Sequence, residues 1–317
     1  MEQVVPTVNS PQRKNKFLLK LNRQKWLLLM LLPAFLCIIL FNYLPLSAWY
    51  IAFSEYKLGG SIFGGELVGF KYFLKIIQES SDLGYLIRNT LVMNGVSIFQ
   101  NIVVAFVLAI LLKEIRWKKG AKIIQTVTFF PYFVSWVISY AIVWSLLAVN
   151  SGAINQFLKN EGIIQKGLNV LGDPKHSWTL VILLNLWKNT GYNTIIFLSS
   201  ITGIPTEQYE AAALDGANRF QKIRYITLPN LLPTAAVLLI MNAGWVLNSS
   251  LEMMFIYNNA TNWSRMETLD MYIYKFGLSM LDFPYATAMT IIKTLVSILL
   301  LLFVNWITKR LTKTGVI

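Results

Sequence analysis

Six long apolar stretches constrain this chain more than any other feature: 26–53, 89–112, 123–149, 178–204, 231–251 and 286–307. Between them they hold two charges, Lys188 and Lys293. A helix needs roughly 20 mostly apolar residues to cross ~30 Å of hydrocarbon, and in lipid a helix satisfies its own backbone hydrogen bonds. The stretches therefore predict an all-α membrane protein with six transmembrane helices. Composition agrees, because 55% of the 317 residues are hydrophobic and 14% are charged, against about 25% charged in a soluble domain. The first stretch is too long for the apolar core of a signal peptide and has no small-residue cleavage site, so it reads as a retained helix. Pro33 and Pro45 within it are expected to kink it or to mark its ends.

Orientation follows from Lys and Arg, which cytoplasmic segments retain. The arm 1–25, the second-to-third loop, the fourth-to-fifth loop and the tail 309–317 carry six, five, three and three of them, 17 on one side. The three opposite segments carry nine. Five acids accompany the 17 and ten accompany the nine, so one face is near +12 and the other near −1. Both termini are therefore expected in the cytoplasm, flanking a permease domain 26–308. Topology accounts for the whole net charge of +13, and nucleic acid is not needed as a partner. Residues 13–25 interleave cations with Phe17, Leu18, Leu19 and Leu21. Two readings stand for them, a helix lying on anionic lipid or an unstructured basic leader. The outer segment 54–81, with Gly59, Gly60, Gly64 and Gly65, reads as a loop with a short helix near 72–78.

Enzyme chemistry is thinly supplied. No G-x-x-x-x-G-K-[ST] phosphate loop occurs, and the dipeptide Gly-Lys is absent, so this chain is not expected to hydrolyse ATP. There is one histidine, His176, and one cysteine, Cys37, which leaves no triad, metal site or intramolecular disulfide. No catalytic residue, metal ligand or cofactor is assigned to the chain. Transport fits better than catalysis.

The loop 205–229 is the most informative segment. Pro205 and Thr206 are expected to open a short helix through the alanines 211–213, with Thr206 supplying capping chemistry and acids near the helix start. Gly216 then permits a turn, and a second helix with Arg219, Lys222 and Arg224 is expected to run to Pro229. The product is an elbow on the cytoplasmic face, suited to a partner's cleft.

Glu210, Ala211, Ala212, Gly216, Ile226, Leu228 and Pro229 stand at the spacing E-A-A-x₃-G-x₉-I-x-L-P, which resembles the EAA signature of ABC-importer permeases. Asp215, Gly216 and Ala217 with Phe220 resemble the carbohydrate branch, and the run 187–203 resembles maltose-type and oligosaccharide-type permeases. Weaker echoes are Gly69-Phe70-Lys71-Tyr72-Phe73, where the family usually has Asn at Tyr72, and Asn89-Thr90. The resemblance covers most of the chain from residue 26. It implies the type I ABC importer permease fold, with the elbow as a coupling helix seated in a groove of a separate ATPase. The implied partners are two ATPase subunits carrying ATP and Mg, a second permease subunit (a different, homologous chain), and an extracytoplasmic solute-binding protein or lipoprotein. It also implies the bacterial cytoplasmic membrane as the location.

Polar residues inside spans are expensive and often mark a pathway. Asn185, Lys188, Asn189 and Tyr192 share one helical face, and Asn242, Trp245, Ser249 and Glu252 are expected to form a similar stripe, with Asn248 nearby. Amides beside aromatic planes suit a sugar; interhelical hydrogen bonds are the other reading. The resemblance implies sugar contact at Lys188, Asn189, Tyr192, Asn242, Trp245, Val246 and Ser249, although Val246 stands where a family member has an amide. Lys188 and Lys293 each have three readings: pairing with an acid, bonding a substrate oxygen, or snorkelling outward. Few cations along the pathway favour a neutral sugar over other small polar cargo. A secondary transporter would be expected to carry intramembrane acids and repeats, and the six stretches contain no Asp or Glu.

Overall fold

The computed structural model describes residues 23–78 and 81–312. The amphipathic reading of 13–25 and the end of the tail 309–317 lie outside the described residues, apart from 23–25 and 309–312. Among the described residues every regular element is a helix, with one isolated bridge between Ser54 and Leu67.

Helix α1 (Lys25–Phe53) is continuous. Pro33 lies inside it, and Pro45 opens a tighter 3₁₀ stretch over Leu44–Phe53, so neither proline ends the span. Beyond it, Lys71 Nζ donates to Glu55 Oε1 at 2.5 Å, which holds the Glu55 carboxyl below its ordinary range. The short helix α2 (Lys71–Gln78) is as expected. Helix α3 (Asp82–Glu114) starts before the apolar stretch and carries a π turn at Leu91–Gly95.

The third stretch is not one straight span. Helix α4 (Lys118–Phe133) and helix α5 (Trp136–Leu147) meet at 106°. Pro131 lacks an N–H and the chain tightens into 3₁₀ over Phe130–Phe133. Val134 and Ser135 are then extended, and Ser135 Oγ restarts the helix by accepting from Ile138 N–H at 3.3 Å.

Helix α6 (Ala153–Asn160) lies in the next loop. Helix α7 (Pro174–Thr202) has 29 residues, about 43 Å at 1.5 Å each. Its start is set by Pro174 at the first position and by the Asp173 carboxylate, which accepts from Lys175 N–H. Among the described residues four helices are both long and apolar enough to cross a membrane, or five counting the bent pair. The length of α7 suffices, but Asn185, Lys188, Asn189 and Asn193 dilute its apolar character.

After α8 (Thr206–Leu214), helix α9 runs from Arg219 to Ala243 without a stop. The expected end at Pro229 is therefore corrected. A π turn at Ile223–Thr227 lets Leu228 N–H donate to the Ile223 carbonyl, and Asn230 Nδ2 donates to the Ile226 carbonyl. The π turn sets the wider register just ahead of the proline, and the helix continues through it. The fifth stretch is also corrected, because α9 stops at Ala243 and residues 244–250 are not α-helical. Helices α10 (Leu251–Tyr257), α11 (Trp263–Met266) and α12 (Leu269–Tyr274) follow, then α13 (Phe283–Thr312).

The core runs along α3 and α7. Ala105 and Ala109 let α3 approach Phe197 and Ile201 of α7 closely. Asn89 and Thr90, both fully buried, hold the 263–269 segment. Asn89 Nδ2 donates to the Ser264 and Glu267 carbonyls, and Leu269 N–H donates to Thr90 Oγ1.

Candidate functional site

A cavity of about 530 Å³ opens where α3, α7, the α4–α5 bend and the end of α9 converge. Lys188, Asn189, Tyr192, Asn242, Trp245 and Asn248 all line it, and Asn185 completes the face predicted for α7. The face exists because 29 unbroken helical residues carry the i, i+3, i+4, i+7 spacing into space. Ser249 and Val246 are not in the wall. Ser249 Oγ and the carbonyls of Val246 and Asn248 all accept from Asn94 Nδ2, at 2.9 to 3.2 Å. The stripe expected to include Ser249 and Glu252 is corrected, since the helix it presumes ends at Ala243.

Lys188 has a partner that the sequence did not suggest. Its ammonium donates to the carbonyl of Tyr132 at 3.2 Å and to that of Val134, and lies 5.2 Å from the Trp136 ring centre. The α4–α5 break leaves carbonyls without helical donors, and a cation at such a helix end satisfies them. Gly191 makes this reach feasible: a Cβ there would lie 2.3 Å from the Thr128 carbonyl oxygen. Tyr192, one residue on, stacks on Tyr132 with ring centres 4.7 Å apart.

Lys293 takes the interhelical pairing reading. It bonds Asp270, whose carboxylate also accepts from Ser249 N–H at 2.6 Å. Asp270 falls outside the six apolar stretches and sequence reasoning missed it; so were Asn94 and Asn101, which lie within the second stretch and line the cavity. The signal was an amide in an otherwise aliphatic run.

The elbow lies at the other ends of α7 and α9. Pro205, not Thr206, is its N-cap, with no side-chain bond. Ala217 N–H donates to the Ala212 carbonyl at 2.8 Å and Gly216 N–H to the Ala213 carbonyl at 3.1 Å, a Schellman closure with Gly216 at φ +76°. Asn218 and Gln221 then form a reciprocal capping box that starts α9. Glu210, Ala211, Asp215, Leu228 and Pro229 are exposed, while Ala212 and Ile226 are half-buried. Leu214 is 91% exposed and Phe220 also projects outward. Tyr209 ties the elbow down, through its hydroxyl on Thr227 Oγ1 at 2.9 Å and the Lys113 ammonium over its ring.

Residues 26–313 match the family described as binding-protein-dependent transport system inner membrane component. The polygalacturonan/rhamnogalacturonan transport system permease protein YteP of Bacillus subtilis (strain 168) is 35% identical over 305 residues, 96% of this chain and 94% of that protein. A chain in the crystal structure of a bacterial alginate ABC transporter, in complex with alginate pentasaccharide-bound periplasmic protein, superposes with a TM-score of 0.83. It is 32% identical, and the match covers 94% of this chain and 98% of that one. A chain of a bacterial ABC transporter involved in import of the acidic polysaccharide alginate gives 0.82 at 30% identity, over 93% and 99%.

Proposed function

Since the chain belongs to the binding-protein-dependent transport system inner membrane component family, we propose that it is the permease subunit of an ATP-driven importer for an oligosaccharide. It is a non-catalytic, multi-pass subunit of the bacterial cytoplasmic membrane, with six spans and both termini in the cytoplasm; α7 is the span whose polar face lowers its hydropathy. An extracytoplasmic solute-binding protein delivers the cargo. Two ATPase subunits hold ATP and Mg, and a second, homologous permease chain completes the pathway. The relatives' named cargoes, polygalacturonan or rhamnogalacturonan and alginate, support carbohydrate.

One observation carries the reading: the helices that wall the cavity are the helices that flank the elbow. Helix α9 is continuous from Arg219 to Ala243, so about 35 Å of uninterrupted rod joins the exposed α8–α9 turn to Asn242. Helix α7 continues from Lys188 to Thr202, shortly before the elbow opens at Pro205. A displacement of α8 by an ATPase therefore moves two walls of the cavity together, while the Tyr209–Thr227 bond keeps α8 and α9 in register.

Affinity purification of the tagged chain from its native membranes tests this. The reading expects an ATPase and a homologous permease to come with it, and ATP hydrolysis to rise when loaded binding protein is added. Purification as a lone chain that moves solute down an ion gradient would overturn it.

A further inference from the structure

We propose that α2 is an interfacial foot, a helix that seats an apolar stripe in the outer leaflet of the lipid bilayer. Which leaflet is meant rests on the topology proposed above; the contact with lipid rests on the helix itself. Tyr72, Phe73 and Ile76 face inward and pack on the core that α2 shares with α13. Leu74 N–H donates to the Phe70 carbonyl at 3.0 Å, so Phe70 is already in helical register. Phe70, Leu74 and Ile77 then follow the i, i+4, i+7 spacing on a second face. These three, with Phe63 and Leu67 of the preceding hairpin, are 57–69% exposed. Large apolar side chains grouped on one surface mark a contact with something other than water.

What covers the stripe follows from where α2 is held. Helix α1 ends at Phe53 and α13 begins at Phe283, and the segment is tied to both ends. The Phe53 ring centre lies 5.7 Å from that of Phe70 and 5.1 Å from that of Phe73, and Val68 N–H donates to the Phe53 carbonyl at 2.8 Å. The Phe63 ring rests 5.3 Å from Tyr50 on α1. At the other helix, Tyr56 meets Phe283 edge-on at 6.0 Å, and Lys75 Nζ lies 3.5 Å from Asp282 and 4.8 Å from the Tyr285 ring centre. Helix α2 is thus strapped across the ends of two long apolar helices, the level at which hydrocarbon gives way to headgroups.

The charges agree with that level. Lys71 and Lys75 occupy the third face of α2, where Glu55 and Asp282 hold them. One face is therefore on protein, one is apolar and uncovered, and one is ionic. A helix lying in the bilayer interface beside a protein presents those three faces, whereas a helix turned to water has no use for the second. The extracytoplasmic binding protein is the other partner within reach. Interfaces that form and dissolve in each cycle are about as apolar as the rest of a protein surface, and a stripe of Phe70, Leu74 and Ile77 is well above that. Seated in lipid, α2 holds the ends of α1 and α13 at one depth.

The test uses the transporter assembled with its partner subunits in phospholipid vesicles. Cys37→Ser removes the native thiol, the partners' thiols are replaced, and a nitroxide is attached at Leu74→Cys, Ile77→Cys or, as the aqueous reference, Lys57→Cys. Spin relaxation by oxygen, which concentrates in hydrocarbon, is compared with relaxation by a water-soluble nickel chelate. The oxygen-to-nickel ratio is expected to be severalfold higher at Leu74→Cys and Ile77→Cys than at Lys57→Cys, and unchanged by loaded binding protein. All three side chains are exposed, so the labels displace no packing, and ATP hydrolysis verifies assembly. A ratio equal to that at Lys57→Cys puts the stripe in water and overturns the proposal. Poor access for both reagents gives the stripe to the second permease, and a ratio that changes when binding protein is added gives it to that protein; either overturns the proposal. An impermeant maleimide added outside right-side-out vesicles should label Lys57→Cys. Labelling only from the inner face would overturn the topology and move the foot to the other leaflet, so the two failures stay distinct.

Discussion

Removing Lys293 should cost this protein more than removing almost any other polar side chain. Asp270 and Lys293 are only 15% and 11% exposed, and the Asp270 carboxylate has two donors, Lys293 Nζ and Ser249 N–H. Lys293→Met leaves a nearly buried carboxylate with one backbone donor. Breaking a buried pair from one side costs about 3–5 kcal/mol; the surviving Ser249 bond and slight exposure set the expectation at about 3 kcal/mol. Asp270→Asn keeps an oxygen for Ser249 but strands the ammonium, at a similar cost. The double variant removes both charges and keeps the Ser249 bond, so its loss should be about 1–2 kcal/mol rather than the sum of about 6 kcal/mol. Detergent-solubilised transporter unfolded by denaturant and followed by tryptophan fluorescence gives all three values. Because Ser249 belongs to the non-helical 244–250 segment at the cavity, sugar binding should weaken in parallel with the single variants. Additive losses would mean that the two residues act separately, and the pair would then not anchor the segment.

Gly191→Ala places a Cβ 2.3 Å from a backbone oxygen of α4, so α4 and α7 must part. Overpacking of this kind costs about 1–3 kcal/mol, and the same unfolding assay should register it; an unshifted midpoint would show that α7 does not pack there so closely. Gly216→Val differs, because a Cβ at Gly216 meets nothing within 4 Å and only its φ of +76° resists substitution. The local strain is about 1–2 kcal/mol, so the protein should stay folded while ATP hydrolysis proceeds without uptake in reconstituted vesicles. Normal uptake would remove the elbow from the coupling path.

The long apolar runs were legible because lipid imposes one rule, that backbone groups bond within the segment, and that rule leaves a signal in hydropathy. The breaks in those runs were not. Pro33 sits inside an intact helix while Pro131 accompanies a 106° bend. At the break after Phe133 the carbonyls of Tyr132 and Val134 are met by Lys188, more than fifty residues away. Pro229 looked like a terminator, yet a π turn lies just ahead of it and the helix continues through it to Ala243. The α7 face was legible because helical period alone places it. The second wall was half legible: Asn242 falls on α9, but the helix ends one residue later and hands the wall to Trp245 and Asn248 on an irregular segment. At the elbow the spacing of Gly216 announced a turn, whereas the capping box at Asn218 and Gln221 went unread in a polar run with many candidate caps.

Uptake into sealed vesicles is the decisive measurement. The transporter is reconstituted with its ATPases inside, and binding protein loaded with labelled oligosaccharide is added outside. If this chain is half of an ATP-driven gate, sugar should accumulate against its gradient only when ATP is enclosed, and Gly216→Val should abolish accumulation while hydrolysis continues. Accumulation without enclosed ATP, driven by a proton or sodium gradient, would show that the elbow is not a coupling element and that the cavity belongs to another kind of transporter.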